Sequence, residues 1–391
     1  MDTGVIRIEL DTFAHRGEAI GRQDGQVVFV AGGIPGETVD VEVYQRKHDF
    51  LRGRVRDVVS SSADRVLPPC PYFGVCGGCQ LQHVAYSRQL ALKEEVVRDQ
   101  MRRIGAFPNP EVRPPLGMDH PWAYRNHARF SALRDGRLGL TRQSSRRIVP
   151  IDSCHIMDPR INETLAKLQG RCRRLFNVSV RCGVHTGDVL VAPRIPAAGD
   201  VVETGQAELT ETLLGKRFRI AAASFFQVNT LQAERLAQLV IDRLALSGGE
   251  VVVDAYCGVG TFGALLADKA KRVVGIEQSP AALADAALNV AGLANVELIQ
   301  GATEDALPGL AERVDAVVLD PPRAGCRPEV LATLARLRPG RLVYVSCDTA
   351  TLARDLRTLV DGGFALEEVQ PVDMFPHTYH VENVATLAWA R

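Results

Sequence analysis

The chain has 391 residues, enough for two or three domains that each bury a core of their own. Lysine and arginine together equal aspartate and glutamate at 46 each, so attraction to a polyanion must come from local patches rather than overall charge. No apolar run approaches the ~18 residues of a membrane span, and Asp2 and Glu9 around a short apolar start are not a secretory pattern; the expectation is a cytoplasmic protein with no membrane partner. Nine cysteines without a secretion signal suit reduced thiols in metal or catalytic use better than a disulfide framework.

Residues 5 to 59 read as short strands broken by glycine: Val5-Ile-Arg-Ile-Glu-Leu10, Val27-Val-Phe-Val30, Thr38 to Tyr44 and Phe50 to Arg56, with turns at Asp24-Gly25 and Pro35-Gly36. This predicts a small antiparallel barrel of the OB-like kind, a shape used for single-stranded nucleic acid and for protein contacts. Its pattern, Gly17-Glu-Ala-Ile-Gly21-Arg and Val28-Phe-Val-Ala-Gly-Gly-Ile-Pro35-Gly36-Glu37, resembles the TRAM domain of RNA-modification enzymes. Residues 1–59 are therefore expected to be a TRAM β-barrel that binds RNA.

After a linker at Ser60-Ser-Ser comes Cys70-Pro-Tyr-Phe-Gly-Val-Cys76-Gly-Gly-Cys79. Three thiols in ten residues, separated by glycine, can wrap one centre, and Cys154 is the nearest candidate for a fourth ligand. Four thiolates suit zinc or an iron–sulfur cluster equally, and spacing does not choose. The run C-x₅-C-x₂-C is looser than the C-x₃-C-x₂-C of a radical enzyme, which favours a structural or RNA-shaping centre. His83 and His155 flank these sites and are expected to pack or meet RNA rather than ligate.

Tyr86 to Ile104 has the apolar period of an amphipathic helix, able to pack on the catalytic domain. Between Pro121 and Pro150, Arg125, Arg129, Arg134, Arg137, Arg142, Arg146 and Arg147 stand against the single acid Asp135, interleaved with Trp122, Tyr124, His127 and Phe130. Cations with aromatics grip phosphates and stack unpaired bases, although aromatics at strand spacing also build cores. Arg171-Cys-Arg-Arg174 extends the basic character, and Cys172 and Cys182 read as space-filling thiols. Residues 60–225 are thus expected to form a central β-rich domain.

From 226 to 391 the chain reads as an α/β, doubly wound Rossmann-like domain, with strands at 251–254, 272–277, 296–300, 314–319, 341–346, 364–370 and 384–390 and helices between the first five. The last two strands are expected to form an antiparallel edge pair. Val251-Val-Val-Asp254-Ala-Tyr-Cys-Gly258-Val-Gly260-Thr-Phe-Gly263 is a buried strand followed by a glycine turn and a helix, the form of a nucleotide-type pocket. Glu277, nineteen residues past Gly258, stands where a carboxylate accepts hydrogen bonds from a ribose diol. The three glycines fit a nicotinamide dinucleotide as well as S-adenosylmethionine. Leu319-Asp320-Pro-Pro-Arg323 and Val345-Ser-Cys347-Asp348, each just past a strand's carboxyl end, decide against hydride transfer, where neither has an obvious job.

A thiol at that rim suits methylation of a pyrimidine carbon. C5 of uracil is weakly nucleophilic until a thiolate adds at C6, and a base must later remove the C5 proton so that the thiol can leave. Cys347, just ahead of a helix predicted over Ala350 to Val360, is expected to be a dipole-favoured thiolate. Glu382, in the loop before the last strand, is the expected base, with His377 and His380 as rivals.

Asp-Ala-Tyr-Cys-Gly-Val-Gly-Thr-Phe, Asp-Pro-Pro-Arg, Ser-Cys-Asp followed by Thr351-Leu-Ala-Arg-Asp355, and Phe-Pro-His-Thr-Tyr-His-Val-Glu together resemble the RNA (uracil-5-)-methyltransferase family over essentially the whole chain. The resemblance implies catalytic Cys347 and Glu382, S-adenosyl-L-methionine contacts at Gln227, Tyr256, Thr261, Glu277 and Asp320, and a [4Fe–4S] cluster on Cys70, Cys76, Cys79 and Cys154, with zinc as the alternative. Gln227 and Asp320 are expected at the junction of cofactor and uracil, and Arg323 beside the base or its phosphate. Barrel and cysteine run together resemble the 23S ribosomal RNA enzymes, which implies structured RNA, 23S ribosomal RNA first and tRNA second, as the partner, with no obligate protein partner. Ser-Cys-Asp-Thr stands where Ser-Cys-Asn-Pro is common, and Cys326 is an added thiol that a 5-methylcytosine enzyme could use. Outside this reading stand a nicotinamide-dependent oxidoreductase and a non-catalytic RNA-binding or assembly factor.

Overall fold

The computed structural model describes residues 4–310 and 313–390; the outermost residues of the first and last expected domains, 1–3 and 391, lie outside it. Strands β1 (Val5–Phe13), β2 (Glu18–Gln23), β3 (Gln26–Ala31), β4 (Thr38–Arg46) and β5 (Phe50–Ser60) close into a barrel in the order β1-β2-β3-β5-β4. Alternation sends Ile8, Leu10, Val28, Val30, Val39, Val41 and Leu51 inward. One pair, β3 with β5, is parallel, a departure from the all-antiparallel barrel that the turn spacing predicts. The reason is the 32–37 connection, which carries the chain past its neighbour instead of folding it back as a hairpin. Buried Glu37 fastens the barrel to the linker, accepting from Ile34 N at 3.0 Å and Ser62 N at 3.2 Å and pairing with Arg65 at 2.6 Å.

Helix α1 (Tyr86–Arg103) crosses to the far domain, where Lys93, buried, meets buried Asp373 at 2.5 Å and donates to the Phe375 carbonyl at 3.1 Å. The central domain is a five-stranded sheet in the order β10-β9-β6-β7-β8, built from β6 (His127–Ala132), β7 (Leu138–Thr141), β8 (Ile148–Pro150), β9 (Asn177–Cys182) and β10 (Val189–Ala192), with α2 (Pro159–Leu168) against it. Its core holds Phe130, Leu138, Ile161, Leu165 and both Cys172 and Cys182.

A hairpin, β11 (Glu208–Leu213) and β12 (Lys216–Ala221), precedes α3 (Thr230–Leu244). Its apolar residues Leu209, Leu213, Phe218 and Ile220 share a core with α3 and the last domain's sheet, so that domain's packing takes in residues ahead of 226. The sheet follows with β13 (Val251–Ala255), α4 (Thr261–Leu266), β14 (Arg272–Glu277), α5 (Pro280–Asn289), β15 (Val296–Gln300), α6 (Thr303–Ala306), β16 (Ala316–Leu319), α7 (Pro328–Leu337), β17 (Arg341–Ser346), α8 (Thr349–Asp361), β18 (Phe364–Val372) and β19 (Glu382–Trp389). The strand order is β15-β14-β13-β16-β17-β19-β18, with β19 antiparallel to both neighbours. The last two strands form the expected antiparallel edge pair, with β18 outermost and β19 between β17 and β18, which sets the first residue of β19 beside the end of β17. Among the described residues no helix is long and apolar enough to cross a membrane.

Candidate active site

The site lies at the carboxyl ends of the parallel strands, where open α/β sheets hold ligands. β13 is buried along its length, and beyond it Tyr256 (φ +65°), Gly258 (φ +56°) and Gly260 (φ +79°) turn the chain into α4, with Thr261 as its first residue. Two carboxylates tie this turn. Asp254, fully buried, accepts from Gly263 N at 2.9 Å, and loss of solvent pushes its pKa up to about 8. Glu277, at the end of β14 and half-buried, accepts from Gly258 N at 3.0 Å and Ser279 N at 2.7 Å.

Register assembles the rest. Ala255 is level with Leu319, and Leu319 with Tyr344, so Tyr256 and Asp320 step off adjacent strand ends together. Ser346 pairs with Asn383, which places Cys347 alongside Glu382. Neighbouring strands are about 4.8 Å apart, so the row from Glu277 through Tyr256 and Asp320 to Cys347 and Glu382 spans about 19 Å. Gln227 comes from the other side, in the loop whose Val228 carbonyl accepts from Asn126 N and whose Gln227 carbonyl accepts from the Asn126 amide at 3.1 Å.

Cys347, Glu382 and Asp320 form one electrostatic unit with Arg323. Burial first, then Glu382 and Asp320, push the Cys347 thiol up to about 11, against the pull of the Arg323 guanidinium. Glu382 is pushed up to about 8 by burial and by Asp320, and Asp320 to about 7 by burial. The expected dipole-favoured thiolate is opposed by this setting: burial is the largest influence on the thiol, and Asp348, the next residue, is the N-cap of α8. Glu382 also differs from its expected place in a loop, since it opens β19 opposite Val372 and is buried. Arg323, outside the core of the sequence argument, is set by α8: its carbonyl accepts from the Thr351 hydroxyl at 3.2 Å, and Arg354 donates to the Ala324 carbonyl at 2.9 Å. Only its place after Asp-Pro-Pro could have marked it.

The rival groups fall elsewhere. His377 is buried, stacked on Trp122 at 3.7 Å, and accepts at Nδ1 from the Gln89 amide at 3.1 Å; burial holds its pKa down to about 4. His380 is likewise held at about 4, by burial and then by Arg323. Cys326 is buried behind Tyr256 and Tyr344, with its thiol pushed up to about 12 by burial, and its backbone N–H donates to Asp355 at 2.8 Å.

Cys70, Cys76, Cys79 and Cys154 line one cavity of about 370 Å³ together with Arg125, Arg129, Arg323 and His380. Burial pushes Cys79 up to about 12 and Cys154 to about 11, and each of these two feels the other cysteines' charge. Asn162 clamps the Cys154 backbone through both its amide atoms, at 2.8 and 3.0 Å. Among the described residues no three His, Cys, Asp or Glu side chains converge as ligands of a metal ion. The flanking His83 is buried and packs at 5.6 Å from Phe73, while His155 is exposed.

A second crevice, of about 680 Å³, runs between barrel, central sheet and the catalytic loop, lined by Arg16, Arg52, Arg129, Arg142, Tyr44 and Tyr379 among others. The aromatics of the basic segment do not face it. Tyr124 is buried with its hydroxyl on the Pro376 carbonyl at 3.0 Å, Phe130 is in the core, and His127 bonds Ser179 at 2.8 Å, so these rings are packing and only the arginines are presented outward.

Comparison with known proteins adds to this geometry. Residues 201–389 match the family described as tRNA (Uracil-5-)-methyltransferase, and residues 4–55 match the TRAM domain. An uncharacterized RNA methyltransferase of Halalkalibacterium halodurans is 36% identical, covering 98% of this chain and 96% of the relative. One from Gloeobacter violaceus is 37% identical with the same coverage. Among solved structures, the Pyrococcus abyssi tRNA (uracil-54, C5)-methyltransferase in complex with S-adenosyl-L-homocysteine superposes with a TM-score of 0.78 at 28% identity, over 98% of this chain and 99% of that one.

Proposed function

Belonging as it does to the RNA (uracil-5-)-methyltransferase family, the chain is an S-adenosylmethionine-dependent enzyme, and we propose that it methylates C5 of a specific uridine in 23S ribosomal RNA through an adduct on Cys347. The observation that carries the chemistry is the corner where a thiol, a guanidinium and two proton-holding carboxylates meet at neighbouring strand ends. Adenosylmethionine supplies a methyl group on a cationic sulfur. Glu277 is proposed to hold the ribose, Tyr256 and Thr261 to flank the adenosyl moiety, and Asp320 and Gln227 to face the junction with the base.

The Cys347 sulfur, its proton lost to water and its charge met by Arg323, bonds to C6 of the uracil, and the ring's electron pair moves toward O4. C5 then takes the methyl carbon, whose bond to the sulfonium sulfur breaks. Glu382 as carboxylate removes the remaining C5 proton, the C5–C6 double bond re-forms, and the thiolate leaves. Balance requires that Glu382 be ionised at that step, and its raised pKa makes it a strong enough base to take the proton.

The arginine-lined crevice that ends at Tyr379 supports a path for an RNA strand to this corner. The four cysteines are proposed to hold a [4Fe–4S] cluster that fastens the central domain. Thiols arranged around a cavity suit a polynuclear group better than one zinc ion, whose thiolates would each stand about 2.3 Å from it. A cytoplasmic location goes with an RNA substrate. The ribosomal target rests on the barrel and cysteine run together, whereas the Pyrococcus abyssi likeness favours tRNA as the second reading. The test is labelled methyl donor with 23S ribosomal RNA and tRNA transcripts, followed by nucleoside mass spectrometry: 5-methyluridine in the ribosomal transcript supports the proposal, and label only in tRNA replaces its target.

A further inference from the structure

At the end of the central sheet away from the catalytic corner, two loops are joined into one surface that the reaction does not use. The β6–β7 turn (133–137) and the loop after α2 (169–176) meet where Cys172 N donates to the Gly136 carbonyl at 3.1 Å and Arg173 Nε to the Asp135 carbonyl at 3.4 Å. Gly136, at φ +87°, is pressed so close that a Cβ there would come within 2.6 Å of the Gly170 carbonyl oxygen, and buried Cys172 pins the second loop from beneath. The joined loops leave Arg134, Lys167, Arg171, Arg173 and Arg174 exposed around Phe176, which is 89% exposed. Asp135, in the first loop, is bound by Arg137 at 2.7 Å, and among the described residues none of the five cations reaches a carboxylate within 4.0 Å.

Five uncompensated cations repel one another, and a phenyl ring left in water gains nothing from folding. A partner that carries phosphates and unpaired flat bases satisfies both at once. We propose that this surface is a second RNA-docking face, which grips the backbone of structured RNA outside the segment carrying the target uridine and stacks one of its bases on Phe176. The inference rests on the RNA reading above and extends it. β6 begins at His127, next to the Asn126 contact with the Gln227 loop, and its six residues span about 20 Å to Ala132. RNA that reaches both the target corner and this face must extend beyond the target nucleotide, so the face favours substrates with folded structure around the target.

Binding is measured for wild type, R134E/R173E, R134Q/R173Q and F176A at 50 and 200 mM salt, using 23S ribosomal RNA and tRNA transcripts and, separately, a short single-stranded uridine-rich oligonucleotide. R134E/R173E is expected to bind the preferred transcript about tenfold more weakly and to lower the slope of log affinity against log salt by about 2. F176A is expected to lose a few fold with the slope unchanged, and the glutamine pair to fall in between. Oligonucleotide affinity and kcat at saturating transcript should stay at wild-type values, with the melting temperature lowered by at most about a degree or two where the Arg173 bond to the Asp135 carbonyl is lost. A charge-reversed variant with wild-type transcript affinity and slope overturns the proposal, as does one that weakens the oligonucleotide equally. If neither transcript accepts a methyl group yet the slope still drops, the methylation reading fails and this face stands; methylated transcripts with an unchanged slope give the reverse.

Discussion

At Cys347 the surroundings work against ionisation, and that decides how rate should depend on pH. The thiol is held at about 11, Glu382 at about 8 and Asp320 at about 7, and for the first two the working form is the deprotonated one. Turnover should therefore rise as pH increases from 6 to 9, and a pH–rate profile that falls over this range would contradict these roles. C347A should remove methyl transfer, while E382Q should accumulate enzyme–RNA adduct visible on a denaturing gel. The same buried carboxylate has a cost in stability. A glutamate whose pKa is higher folded than unfolded contributes stability that is present below about pH 4.5 and lost as pH rises through about 8. E382Q should thus melt several degrees higher than wild type at pH 8, with little difference at pH 4, as read by thermal denaturation. For Cys347 and Glu382, the strand end just ahead of the thiol was legible in the sequence, while the carboxylate was expected in a loop and instead opens β19. Their protonation was not legible, because it depends on Asp320 and Arg323 arriving from a segment more than twenty residues upstream of Cys347.

Element placement shows a similar division. α1 and α8 lie within a few residues of their periodic patterns, since each has one apolar face toward a sheet or helix. What α1 is for was not legible: Lys93 and Asp373 are 280 residues apart, and nothing local marks either as half of a buried pair. Tyr86 donates to the other oxygen of Asp373 at 2.8 Å and Gln89 binds His377, so α1 braces the 373–380 segment that leads into Glu382. K93M leaves Asp373 buried without its cation and should cost about 3–5 kcal/mol in denaturant unfolding, whereas K93M/D373L should recover most of that loss. Likewise the antiparallel insertion of β19 was hidden, because strands 364–370 and 384–390 look equally apolar. The inserted order is what brings Glu382 to Cys347.

Across the whole molecule, barrel, central sheet and catalytic sheet are joined by apolar and polar contacts together: Ile34 beyond β3 packs with Val84 and with Leu92 of α1, and Leu190 of β10 belongs to the core of the catalytic sheet. Arg65 to Glu37 links the barrel to the linker, and Gln80 and Leu81 N–H groups on the His377 carbonyl, at 3.0 and 2.9 Å, link the cysteine run to the catalytic loop. The cysteine cavity reaches Arg323 and His380, so whatever the four thiols hold stands against the back of the target site. Anaerobically purified protein should be brown with about four irons per chain, lost on C76S/C79S substitution together with RNA affinity; a colourless protein holding stoichiometric zinc would assign the thiols differently. In the basic aromatic segment the arginines are exposed and the rings take the core-building alternative: alternation in β6 buries Phe130 while leaving Arg129 exposed, and Tyr124, ahead of that strand, turns its hydroxyl in to the Pro376 carbonyl.

Whether carbon–sulfur bond formation occurs at residue 347 is open to direct mass spectrometry. RNA in which the uridines carry fluorine at C5 has no proton there for Glu382 to remove, so the methylated adduct cannot collapse. Incubated with adenosylmethionine and digested, the complex should yield a nucleotide cross-linked to the peptide containing Cys347, and none in C347A. A cross-link on the peptide containing Cys326, or methylated RNA with no adduct on any cysteine, would contradict the account.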